Sequence, residues 1–227
     1  MGEAEAALQR ALELDPTSLN PRFQLMVLYA GMGDTARARR QLEQLPDDAA
    51  AGAWIELLSV QRNFRAALAK VERMEEIERT QDSYLPRTLW RARLYRYLGE
   101  QALARVNLDS AVTLLERDLH QAEPADEPTL RAALGLAYAG LGRRDDALRE
   151  GRRATALIPI SLDQRTGASY RLLLAETQTL AGDLAGAIAG LDSLLRQPSS
   201  LTVPLLRLDP RWDPLRGQPG FHRLVGR

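Results

Sequence analysis

The sequence has 227 residues, 26% of them charged, and its 30 basic and 30 acidic side chains give a formal net charge of zero. A neutral chain has no overall basic field that would attract nucleic acid or an anionic membrane. Cysteine is absent, which excludes disulfide frameworks, thiol nucleophiles and cysteine-based zinc sites.

The first predicted elements are a single helix and then a helical hairpin. Residues 1–18 carry Ala4, Leu8 and Ala11 in the pattern that later segments show in their second helix. A lone second helix cannot bury its apolar face, so we expect the sequence to continue a longer protein whose preceding residues supply the first helix. Residues 19–46 then form a complete copy, with a glycine between its two helices.

An irregular segment follows, and then three more copies. Residues 47–80 indicate a degenerate pair of helices, the first around Trp54 and the second from Phe64 to Met74, with no glycine between them. The later copies, each with a turn glycine, are 84–121, 128–161 and 168–197. A helical pattern repeated at this spacing predicts an all-α fold, an α-solenoid of antiparallel helical hairpins.

The clearest copy carries a family resemblance. Its marker residues are Leu134, Gly135 and Tyr138 on the first helix, Gly142 at the turn, Ala147 and Ala154 on the second helix, and Pro159 at the end. These residue types at this spacing resemble the tetratricopeptide repeat of about 34 residues. Small residues at Gly135 and Ala147 predict a close approach of the two helices. The resemblance implies a right-handed superhelix whose first helices line a concave groove.

The tail, residues 204–227, breaks the repeat pattern and is rich in proline. Its apolar side chains, Trp212 and Phe221 among them, favour a cap over the last hairpin, because a solenoid end must be covered. A partner-binding peptide is the alternative. Residues 128–225, especially the phrase that begins at Leu206, are similar to the C-terminal repeats of bacterial signalling proteins, where they follow a kinase, a nucleotide cyclase or a winged-helix domain.

The groove positions of the copies give the candidate binding residues. Aligned on the resemblance, the partner-binding candidates are Phe23, Val27, Arg93, Arg96, Tyr97, Leu136, Leu172 and Glu176. Two arginines with an aromatic ring beside the second predict a clamp for an acidic or carboxylate-bearing segment. The alternative is that Trp90 and Leu94 face the core and turn Arg93 and Arg96 to solvent.

Residues suited to catalysis are sparse. His120 and His222 are the two histidines, and neither has the two or three further ligands that a zinc site needs. Phosphate-binding loops and nucleophile motifs are missing, so we expect no enzyme, cofactor or metal. Arginine clusters such as Arg143 to Arg153 alternate with acids, which argues against direct nucleic-acid binding. The sequence also contains no apolar run of the roughly 20 residues that a membrane helix needs.

These observations predict a scaffold for protein–protein interaction or oligomerisation, whose partner is a protein, a peptide or a second copy of the chain. The alternative is a regulatory domain that senses a small molecule or peptide in its groove. The compartment stays open, since the sequence fits either side of a bacterial inner membrane.

Overall fold

The computed structural model describes residues 2–46, 50–80 and 83–226. The predicted boundary at residue 47 and the last residue of the predicted tail lie outside these ranges. Helices α1 to α5 span Gly2–Leu14, Leu19–Gly31, Thr35–Leu42, Ala51–Val60 and Phe64–Val71. After strands β1 (Ile77–Thr80) and β2 (Ser83–Pro86), helices α6 to α11 span Arg87–Tyr97, Gln101–His120, Glu127–Gly140, Arg144–Leu157, Gln164–Leu180 and Leu184–Leu195. The tail holds α12 (Val203–Leu208), a 3₁₀ helix (Pro210–Leu215) and α13 (Pro219–Val225).

Consecutive helices pack as hairpins, which confirms the predicted all-α solenoid. The pairs are α2 with α3, α4 with α5, α6 with α7, α8 with α9, and α10 with α11. Helix α1 packs on α2 through the partly buried side chains of Leu8 and Leu12. Its Glu5 carboxylate also accepts hydrogen bonds from the Tyr29 hydroxyl at 3.0 Å and from the Arg37 guanidinium at 2.9 Å.

The hairpin turns share one backbone conformation, including the turn that lacks glycine. Gly33, Gly99, Gly142 and Gly182 have φ angles of 77° to 78°. In the degenerate hairpin, Arg62 takes this place with φ 60°, a left-handed conformation that costs a residue with a Cβ roughly 1–2 kcal/mol. The degenerate segment therefore keeps the turn geometry of the other copies without their glycine.

Helices α8 and α9 approach closely at the two small residues. A Cβ atom at Gly135 would lie 3.2 Å from both the Ala147 carbonyl oxygen and the Gly151 backbone nitrogen. Ala147 itself is 0% exposed. This contact has no room for a larger side chain.

We expect Ala147→Leu to destabilise the chain by about 1–3 kcal/mol, because the extra carbons must displace the backbone of α8. Arg152→Ala on the exposed side of the same helix should cost under roughly 0.5 kcal/mol. Urea denaturation of both variants measures the difference. Equal losses would contradict the packing described for α8 and α9.

A two-stranded antiparallel hairpin, β1 with β2, stands between α5 and α6 and was not expected from the sequence. Its register pairs Ile77 with Pro86 and Thr80 with Ser83. Such a hairpin is marginal alone, but β2 packs on α8. In addition, the buried Tyr84 donates a hydrogen bond to Asp118 at 2.5 Å.

The tail covers the last hairpin and also reaches the first complete one. Its side chains Trp212, Leu215, Phe221 and Leu224 are at most 2% exposed and share a core with Leu191 and Leu194 of α11. Thr202, just before the tail, donates a hydrogen bond from its hydroxyl to the Gly31 carbonyl oxygen at 2.7 Å. Arg62 at the strained turn forms an ion pair with Asp213. The tail thus joins the two ends of the solenoid.

Candidate functional site

A cavity of about 390 Å³ lies between the first helices of the hairpins and the tail. Helices α2, α4 and α6, the β hairpin and Leu172 of α10 form one side. The other side is formed by residues from Ser200 to Trp212, which comprise the segment before the tail and the start of the tail. Its volume falls in the range of small-ligand sites, roughly 300–1,000 Å³. Because the tail supplies one wall, the cavity exists only while the tail is in place.

The structure brings five of the eight candidate binding residues to this cavity and separates three from it. Phe23, Val27, Arg93, Tyr97 and Leu172 line the wall. Leu136 is 2% exposed in the core that includes Leu89 and Leu130, so it is not accessible to a partner. Arg96 is not part of the wall, and burial lowers its pKa. Glu176 is 3% exposed beneath the wall.

Arg93 already holds an internal carboxylate, contrary to the expectation that it is free for a partner. Its guanidinium lies 2.8 Å from a Glu176 oxygen, and the two side chains are 13% and 4% exposed. Arg211 of the tail lies 3.6 Å from the other Glu176 oxygen and 2.5 Å from Asp209. Although burial opposes it, the charges of Asp209 and Glu176 raise the pKa of Arg211. This network ties α6, α10 and the tail together.

Besides Asp209 of the tail, the wall contains two acidic groups that sequence reasoning missed, the carboxylates of Glu56 and Glu78. Neither forms an ion pair with another residue in the described ranges. Glu78 accepts a hydrogen bond from the Trp90 indole nitrogen at 3.0 Å. A Cβ at Gly52 would lie only 2.1 Å from a Glu78 oxygen, so the glycine makes room for this carboxylate. Glu78 lies on the unexpected strand β1, and no pattern in the sequence indicates its position.

Burial raises the pKa of Glu78, and the nearby charge of Glu56 raises it further, while Trp90 and Arg93 act in the opposite direction. A carboxyl whose pKa is higher in the folded chain than in the unfolded chain contributes most stability at low pH. That contribution is lost as the pH rises from the ordinary value of 4.5 through the folded-state pKa. At neutral pH the ionised Glu78 is therefore destabilising.

We expect Glu78→Gln to raise the melting temperature at pH 7 by a few degrees, because glutamine removes the desolvated charge and retains an oxygen for the Trp90 N–H. The gain should shrink as the pH falls through 4.5, because glutamate becomes protonated in the unfolded state as well as in the folded state. Melting curves of wild type and variant at pH 4 and pH 7 measure it. A gain of the same size at both values would show that charge is not its cause.

One apolar stripe on α2 runs from the cavity toward solvent. Leu19, Phe23 and Val27, four residues apart in turn, are 47%, 42% and 45% exposed. Side chains at this spacing share one helix face. Exposed apolar side chains in a row mark an interaction surface more often than isolated ones do.

The described ranges offer few residues for a metal site or a histidine-based catalytic site. They contain no group of three or more histidine, aspartate or glutamate side chains placed to hold a metal ion. His120 and His222 are both exposed. Within the same ranges, every helix is too short or too polar to cross a membrane.

Fold and cavity together define a helical-repeat solenoid with a ligand-sized cavity beside its first helices. Residues 1–60, from α1 to the end of α4, match the family model described as the tetratricopeptide repeat. None of the curated proteins matches the chain. The family model matches the N-terminal helices, whereas the repeat pattern in the sequence is clearest in residues 128–161. The two lines of support for the repeat therefore come from different hairpins. Tetratricopeptide repeats generally mediate protein–protein interaction.

Proposed function

We propose that this chain is a protein-interaction module that holds a segment of a partner in the cavity between α2, α4, α6 and the tail. The observation that carries the proposal is the continuity of this cavity with the exposed apolar stripe of Leu19, Phe23 and Val27. A hydrophobic groove that receives the apolar side chains of a partner segment is a recurring way of binding a peptide. The length of the stripe suits an extended ligand, since a small molecule within the cavity would leave Leu19 uncovered.

We further propose that this chain is the C-terminal module of a larger bacterial signalling protein. The similarity of the phrase from Leu206 onward to such proteins supports this setting. The side chains of that phrase include Asp209, Arg211 and Trp212, which form the cavity wall. A partner that displaced the tail would therefore change how the ends of the solenoid are joined. The partner can also be a second copy, in which case the apolar stripe would mediate oligomerisation.

A sensor of a small molecule or short peptide is the second candidate, and the closure of the cavity by the tail favours it. A ligand enclosed between α2 and the tail would stabilise the contacts that join them, among them the hydrogen bond from Thr202 to Gly31. Ligand binding stabilises the native state by mass action. Thermal shift assays with metabolites, compared with peptides, separate the two candidates.

Selection of peptides from a random library on the full chain tests the proposed function. We expect selected peptides to bind the Val27→Glu variant at least about tenfold more weakly than the wild-type chain, because the change places a charge in the apolar wall. Val106→Glu is the matched control, since Val106 is 63% exposed on α7 and does not line the cavity. Equal affinity for the two variants would place the binding surface elsewhere.

A further inference from the structure

The charges around the cavity are unbalanced toward the acidic side. The groups that line it or pair directly with its wall are the guanidiniums of Arg93 and Arg211 and the carboxylates of Glu56, Glu78, Glu176 and Asp209. Both guanidiniums are engaged by Glu176 and Asp209. Arg96 lies outside the wall, and its charge also acts on Glu176. The two carboxylates that remain, Glu56 and Glu78, form no salt bridge with a described residue, although the charge of Arg93 acts on Glu78 and the charge of Glu56 acts on Arg211.

The surroundings of Glu78 keep its carboxylate in the wall. Trp90 donates a hydrogen bond to one oxygen, and the missing side chain of Gly52 leaves space for the other. An ionised carboxylate with one hydrogen bond and no direct salt bridge still has unused acceptor positions. A cation entering the cavity would complete its coordination.

Two further polar groups at the cavity have no hydrogen-bond partner among the residues that the structure describes. Tyr97 lines the wall, burial raises the pKa of its hydroxyl, and no described residue bonds to that hydroxyl. Trp212 is 0% exposed, contributes to the wall, and its indole N–H has no acceptor. Both groups are hydrogen-bond donors, which a peptide backbone can satisfy with its carbonyl oxygens.

We infer that the bound segment carries a lysine or arginine beside an apolar side chain, with its cation against the carboxylates of Glu56 and Glu78. This inference rests on the proposed function, because it gives the chemistry of the ligand for the same cavity. The apolar side chain packs on Phe23 and Val27. The polarity is opposite to that expected from the sequence, where Arg93 and Arg96 indicated an acidic partner.

The experiment uses the full chain labelled with ¹³C at its methionine methyl groups. Met26 lines the cavity, whereas Met32 is 37% exposed at the end of α2 and Met74 lies in the core. Three blocked peptides, Ac-Leu-Lys-Leu-NH₂ and its glutamine and glutamate counterparts, are titrated to millimolar concentration. We expect the lysine peptide to shift the Met26 signal and to bind about tenfold or more tightly than the glutamine peptide. The glutamate peptide should bind most weakly.

The variant Glu56→Gln/Glu78→Gln should lower the preference for lysine over glutamine to less than about threefold, because both carboxylates are removed. Glu43→Gln is the matched control, since Glu43 is exposed and lies outside the wall. A Met26 shift with equal or tighter binding of the glutamine or glutamate peptide would overturn the inference and leave the proposed function standing. If no peptide shifts Met26, the proposed function fails and the inference fails with it.

Discussion

Replacing Trp212 with alanine should lower the free energy of unfolding by about 3–5 kcal/mol, the range for removing a fully buried tryptophan. Trp212 is 0% exposed and packs with Leu215, Phe221 and the α11 side chains Leu191 and Leu194. Its loss leaves a hole at the point where the tail, α11 and the cavity wall meet. Urea denaturation at pH 7 gives the difference.

Arg223→Ala, on the exposed side of α13, is the control for this experiment and should change stability by less than roughly 0.5 kcal/mol. A loss below about 1 kcal/mol for Trp212→Ala would be typical of a solvated side chain. The tail would then not be the cap described above. A tail packed as described also predicts that removal of residues 204–227 exposes apolar surface and promotes association.

Arg93→Ala should destabilise the chain by about 3–5 kcal/mol, because it leaves the buried Glu176 carboxylate without its nearest counter-ion. Arg211 would remain at 3.6 Å from Glu176, but it is already engaged by Asp209. The sequence alone suggested a different role, in which Arg93 and Arg96 form a clamp for an acidic segment of a partner.

Arg91→Ala is the matched control on the same helix. Arg91 pairs with Glu72, but these side chains are 28% and 47% exposed, so the loss should be about 1 kcal/mol or less. The apolar double replacement Arg93→Met with Glu176→Leu should recover most of the stability lost in Arg93→Ala, since no buried charge remains unpaired. Equal losses for Arg91→Ala and Arg93→Ala would contradict the buried ion pair.

The repeat was predictable from sequence because its signals are local. Turn glycines such as Gly142 and small contact residues such as Ala147 recur at a fixed spacing, and the structure places them at left-handed turns and helix contacts. The positions of Phe23, Val27 and Tyr97 followed from the same register. The turn at Arg62 could not be predicted from this local signal, because it has the same left-handed conformation without a glycine.

The cavity was not predictable because it depends on contacts between distant segments. The path of the tail back to Gly31 and Arg62 has no periodic signature. The ion pair of Arg93 with Glu176 likewise joins α6 to α10. Because Arg93 is paired within the chain, the groove lacks the unpaired basic side chain that the helix positions alone indicated. Glu78 lies on a short strand that only tertiary packing stabilises.

A crystal structure of the full chain bound to a peptide selected from the random library tests the central claim most directly. We predict that the peptide lies in the cavity between α2 and the tail, with an apolar side chain on Phe23 and Val27. A lysine or arginine nitrogen should be within about 3 Å of a Glu56 or Glu78 oxygen. A peptide bound on α7, at the exposed Leu103 and Val106, with the cavity empty, would contradict the account.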